Sequence, residues 1–223
     1  MSKTLFLVLF FIPFFSFSQF STIELEVRTT PEPLLRDSLV MRWNQSQTGY
    51  SKLSTQAQDF LYWVNYARSN PKEFWDSAVV PVLKVFPPLN KPETLSLKQD
   101  LMKAGELPMF ILNESLINTA QKHATDIASK NAPPSHNSTD GSDFGSRIKH
   151  AGIKRCANEN ISVSSQSVLL SVLLLYLDIG LPDLGHRKSL LNSSLSETGI
   201  GTHPYGKDKD RFFIVQDLAC SQQ

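Results

Sequence analysis

Six ionisable side chains stand beside glycine, proline or other loop-forming residues in this sequence: His136, Asp140, Glu159, Asp178, His186 and His203. Imidazoles grouped with one or two carboxylates can do three kinds of work. Two neutral imidazoles and a carboxylate can hold a divalent cation, for which Zn2+ is the natural candidate with water completing the shell. Without metal, a carboxylate beside an imidazole makes a general acid/base pair near neutral pH. The third option is purely structural, each polar group satisfying another and tying loops together. The chain holds no Gly-x-Ser-x-Gly elbow, His-Glu-x-x-His, Walker loop or Gly-x-Gly-x-x-Gly, so no activated nucleophile or nucleotide cradle is on offer. Of the other histidines, His123 shares a helical stripe with Leu116, Ala120 and Ile127 and reads as half-buried; His150 reads as solvated, and His203 as part of an exposed hairpin tip.

These residues need elements to position them. Helical periodicity begins after Ser54, a capping residue, with Phe60, Val64 and Ala67 on one stripe. Asn70-Pro71 ends or kinks that helix, and Pro71 can open the next. Pro81, Pro87, Pro88 and Pro92 argue against regular structure, so an irregular insertion is expected over 79–106, holding one short helix at about 97–103. The clearest helix is predicted over 114–130, behind Asn113, and a Pro/Ser/Asn/Asp/Gly-rich loop follows to Gly145. Ser167 can cap a helix over 168–178 that is apolar almost all round, ended by Gly180 and Pro182. The C-terminal part reads as a hairpin around a polar turn, 203–210. Near the start, Ile23, Leu25 and Val27 alternate with polar residues, which suits one short strand in an arm over 19–53.

The ends and the composition set limits. Lys3 precedes an unbroken apolar run, Leu5 to Phe15, then Ser16-Phe17-Ser18. That is the layout of a signal peptide over 1–18, with cleavage expected after Ser18, so a secreted or periplasmic location is expected. About 205 residues would remain, enough for one well-buried core. The later apolar run 168–177 is half the length a membrane span needs. With 22 Lys plus Arg against 21 Asp plus Glu, no overall field favours nucleic acid or an anionic surface. The two cysteines, Cys156 and Cys220, form a disulfide if the chain is exported, or remain two separate thiols; neither has a second cysteine at metal-ligand spacing.

The order of short segments resembles one family. Phe60 to Arg68, Ala120-Gln121-Lys122-His123-Ala124, Ser135-His136-Asn137, Asp140-Gly141, Arg147 with Ala151-Gly152, Asn158-Glu159-Asn160-Ile161, Gly185-His186-Arg187, Gly199-Ile200-Gly201 and Val215-Gln216 together are similar to the CAP superfamily of cysteine-rich secretory and pathogenesis-related proteins, in its bacterial SCP-like form. The resemblance spans about 54–220. It implies an α/β (α+β) fold, a three-layer α-β-α sandwich with a small, mainly antiparallel sheet. It further implies a cleft where His136 and His186 meet Glu159, with Asp178 at the second acidic position. Leu175 and Ser189 depart from the residues usual in the family, which puts the cleft's shape in question. The functions implied are binding of an unknown lipid, peptide or other small-molecule ligand, or of a divalent metal. A metal-dependent or acid/base peptidase-like hydrolase and an inert structural cell-surface domain stand as alternatives.

Overall fold

A computed structural model describes residues 21–164, 167–207, 209 and 211–222. The expected signal peptide and its cleavage point lie outside the described residues. The first helix, α1 (Ser38–Ser46), starts at Asp37, whose carboxylate accepts the Leu39 and Val40 amides. The arm over 19–53, for which only one short strand is expected from the sequence, thus holds a helix. The strand expected around 23–27 is absent. The segment has no regular structure and pairs with no strand among the described residues, because alternation selects a face and cannot supply a partner.

Ser54 caps α2 (Thr55–Ser69) through the Ala57 amide. Its buried side chains, from Phe60 to Arg68, form the centre of the main core. Pro71 opens α3 (Pro71–Phe74), as expected, and a π-turn (Trp75–Val79) follows. The expected irregular insertion over 79–106 is mostly helical: α4 (Val80–Val85), a 3-10 turn (Pro87–Leu89) and α5 (Pro92–Ala104), which takes in the short helix expected at about 97–103. Pro71, Pro87 and Pro92 stand at the first position of their helices, where the amide a proline lacks would have had no partner in the helix. Pro81 instead lies within a continuous helical run, just behind the π-turn.

The sheet has the order β1-β3-β4-β2, from β1 (Ile111–Leu112), β3 (Leu195–Tyr205), β4 (Arg211–Cys220) and β2 (Ala157–Ser164). Only the β1–β3 pairing is parallel. Side-chain alternation sorts β4 cleanly. Phe213 and Val215 pack with Ala120, Ala124 and Ile127 of α6 (Glu114–Ser129), whereas Ile214 and Leu218 join the core built on α2 and α8 (Val168–Leu177). This is the expected three-layer α-β-α sandwich. Helix α6 lies against the bare backbone of β3: a Cβ on Gly199 would come within 2.1 Å of the Ile117 amide, and one on Gly201 within 2.3 Å of Ala120. The Gly-Ile-Gly motif is thus a close-approach device. Cys156 and Cys220 form a disulfide across the ends of β2 and β4.

Candidate functional site

Glu159 projects from β2 on the α6 side, opposite Asp217 of β4 in the antiparallel register. Its side chain is 1% exposed. Oε1 accepts from His136 Nδ1 at 2.8 Å and Oε2 from Arg147 Nη2 at 2.5 Å. Arg147 comes from α7 (Phe144–His150), which Asp143 caps. The same guanidinium donates to the His136 carbonyl at 2.8 Å, so it fixes the loop as well as the carboxylate. The far end of that loop is tied to α6: Asp126 accepts the Thr139 amide at 2.7 Å and Lys130 Nζ at 2.6 Å. Asp140, a candidate by type, serves the loop itself by accepting from Ser142.

Two members of this cluster escaped the sequence reading. His123 is fully buried on α6, with Nε2 4.0 Å from Glu159 Oε1. Its Nε2–H donates to the Ser135 carbonyl at 2.8 Å, and the Ser138 hydroxyl lies 3.3 Å from Nδ1. That pattern fits the neutral ring, and burial pulls its pKa down, against the attraction of Glu159. Asp217 is completely buried, and its oxygens find no N–H or hydroxyl donor among the described residues. Glu159 is its partner across the register, and an Asp217 carboxyl that kept its proton would place a donor beside that carboxylate. Burial, then the Glu159 charge, pushes the Asp217 carboxyl well above the usual range. Burial would lift Glu159 too, but the His136 hydrogen bond and the Arg147 charge outweigh it and hold that carboxyl below its ordinary value. A carboxylate in the inward-facing alternation of Phe213 and Val215 was the available signal.

Asp178 and His186 form a second pair. Asp178 caps α8 at φ 50° and is buried. Its Oδ1 accepts from His186 Nδ1 at 2.5 Å and its Oδ2 from the Arg187 amide at 2.9 Å. Helix α9 (Gly185–Leu190) presents His186 and follows Leu184, also left-handed at φ 51°. Arg187 anchors the turn through the carbonyls of Tyr176, Leu177 and Glu93 and through Asp100 at 3.0 Å. Ser189 receives the Asn158 amide at 3.0 Å, which ties α9 to β2.

The sequence-predicted residues thus fall into two carboxylate–imidazole pairs, His136–Glu159 and His186–Asp178. His203 belongs to neither: it lies on β3, its Nδ1 on the Pro204 carbonyl at 2.8 Å. His150 likewise stands apart, exposed on α7. All four oxygens of Glu159 and Asp178 already accept hydrogen bonds. Among the described residues no group of three or more His, Cys, Asp or Glu side chains is disposed to hold a metal ion.

A cavity of about 450 Å³ opens beside the second pair. Its walls include His186 and Asp178, Leu170 and Leu174 of α8, and Ile161 and Val163 of β2, the edge strand. Facing them are Ser21, Ile23 and Leu25 of the N-terminal segment. No helix of the described residues is long and apolar enough to cross a membrane.

Several known proteins are similar to the chain. An extracellular protein containing a SCP domain from Bacillus anthracis is 21% identical, with a TM-score of 0.43 over 58% of this chain and 40% of that one. An outer surface protein of Borrelia burgdorferi is 14% identical, with a TM-score of 0.41 over 57% and 91%. A cysteine-rich secretory protein of Staphylococcus aureus is 18% identical, with a TM-score of 0.36 over 60% and 40%. The match therefore spans well under half of the Bacillus and Staphylococcus chains. No curated protein sequence matches. The sequence profile of the Cysteine-rich secretory protein family, CAP, matches residues 61–218, more than half of the chain and both carboxylate–imidazole pairs, and the chain belongs to that family.

Proposed function

We propose that this is an exported ligand-binding module and that its ligand sits in the cavity beside His186. The observation that carries this reading is the cavity itself, where Leu170, Leu174 and Ile161 stand beside the polar Ser162, Asp178, His186 and Arg211 and the imidazole is oriented by Asp178. Binding sites are typically apolar clefts with a few fixed polar groups. The backbone supports it: Asp178 and Leu184, neither a glycine, both adopt left-handed conformations around the turn that presents His186. Such conformations cost about 1–3 kcal/mol each and gather where a side chain must be aimed. Export rests on the signal-like residues 1–18.

The test is anilinonaphthalene sulfonate fluorescence on the folded protein. Leu174→Arg places a charge in the cavity wall and should weaken the probe about tenfold, roughly 1.4 kcal/mol; His186→Ala should alter its affinity severalfold. Equal binding by parent and Leu174→Arg would place the site elsewhere.

Zinc is a second reading, favoured by one observation: each imidazole is oriented through Nδ1 by a carboxylate, as in metal sites whose histidines have carboxylate partners. The carboxylates are engaged and no three-ligand group forms, so no chemical step is routed through a metal. A zinc titration of the parent and of the His136→Ala, His186→Ala double variant separates the two readings.

A further inference from the structure

The wall of the cavity opposite β2 is made by the chain's own Ser21–Leu25. This segment has no regular secondary structure and lies in no sheet. Ile23 and Leu25 turn inward and pack against the main core, while Thr22, Glu24 and Glu26 face solvent. Val27, next in the alternation, is 88% exposed, so the apolar pattern runs past the end of its seat. No backbone hydrogen bond joins residues 21–36 to the rest of the described chain. The contact that holds the segment's start is one side-chain bond, from the Ser21 hydroxyl to the Ile179 carbonyl, one residue beyond Asp178. A segment built into the fold would have its amides satisfied by neighbours; this one is held by two side chains and a hydroxyl.

The facing wall is equally specific. Among the described residues β2 pairs with β4 alone, so its other edge along Ile161–Val163, within the cavity wall, has no strand beside it. An exposed edge beside apolar pockets is the arrangement by which an extended peptide is recognised, main chain by the edge and alternate side chains by the pockets. A tailed lipid would use the apolar walls but not the strand edge.

We propose that Ser21–Leu25 is an intramolecular ligand of this cleft, and that the external ligand is an extended peptide with apolar side chains two residues apart that takes its seat. The proposal rests on the cavity being a binding cleft, and names its ligand class and its regulation. An occupied seat lowers apparent affinity by the fraction of molecules in which it is free, so releasing the segment raises affinity without a new contact.

The probe is a fluorescent peptide of the sequence 21–28, with a control of equal composition in which the isoleucine and leucine are adjacent. Binding is compared between the full chain and its Ile23→Ser, Leu25→Ser variant. The released variant should bind the peptide about tenfold more tightly than the parent, discriminate against the control, and lose binding when Leu174→Arg is added. Equal peptide affinity in parent and released variant, or equal affinity for the control, overturns the proposal. If the naphthalene probe still reports the cavity through Leu174→Arg, the cleft stands and the strap alone is wrong; if that probe is indifferent to Leu174→Arg, both fall. Should the double variant not fold, Ser21→Ala removes only the anchoring hydroxyl, and cleavage after Glu24 by a glutamate-specific protease should then quicken severalfold; an unchanged rate counts against the strap.

Discussion

Glu159 and Asp178 are both buried carboxylates that accept a hydrogen bond from a histidine Nδ1, at 2.8 and 2.5 Å, yet their surroundings differ in kind. Glu159 is ringed by ionisable groups: Arg147, His136, His123 and Asp217, between α6 and the sheet. Asp178 has one imidazole and one backbone amide, and both it and that imidazole line a cavity. The richer cluster ties β2, α6 and the His136 loop together, with Glu159 at its centre. The sparser pair, held on a strained turn, is the one with space beside it. Density of charged residues is therefore a poor guide to where a ligand goes, since a buried polar network mainly rigidifies what it joins.

The sharpest way to break the comparison is Glu159→Ala. It leaves the Arg147 guanidinium without its carboxylate in a dry site, and stability should fall by about 4 kcal/mol in urea unfolding, as for other broken buried pairs. In the molecules that remain folded, probe affinity at the cavity should hold. Asp178→Ala is the converse: it leaves the Arg187 amide and His186 Nδ1 unpartnered, at a cost of about 2 kcal/mol, and frees the imidazole to turn, so cavity binding should weaken with the loss of stability. Equal effects of the two variants on binding would erase the distinction.

Asp217→Asn should have the smallest effect and the clearest pH signature. A carboxyl whose folded pKa is raised favours the native state fully below its unfolded value of about 3.9, and that contribution is lost as pH rises through the folded pKa. The parent should therefore lose stability relative to Asp217→Asn as pH is raised above about 4, with near parity in acid. Glu159 acts in the opposite sense, since its depressed pKa gives stability that is lost as pH falls through the folded value. A pH-independent difference between the parent and Asp217→Asn would show that Asp217 is ionised.

Much of the fold could be read along the chain because caps and periodicity are local. Ser54, Asn113 and Ser167 each accept an amide at the start of the helix they were read to open. The helices of 79–106 were missed for a physical reason: a proline's effect depends on its position in the turn, and type alone does not reveal it. Glu159 and His186 were visible in short motifs. Their division into two pairs was not, because it depends on which face of β2 each neighbouring layer covers. Asp217 hides within the apolar run 212–219, and His123 reads as half-buried because a buried neutral imidazole and a half-buried helix residue leave the same stripe in sequence.

The disulfide has a mechanical consequence. Cys156 and Cys220 enclose a loop 64 residues in separation that holds Glu159, Asp178, His186 and Asp217. Tension applied between the two ends of the chain passes across the sulfurs and bypasses everything between them. Strands β2, β3 and β4 and the turn carrying His186 would bear none of that load. Residues 21–155 would bear all of it, including the strap, α6 with His123, and the loop with His136. Under traction the chain should yield first at Ser21–Leu25, uncovering the cleft while the turn that presents His186 stays intact.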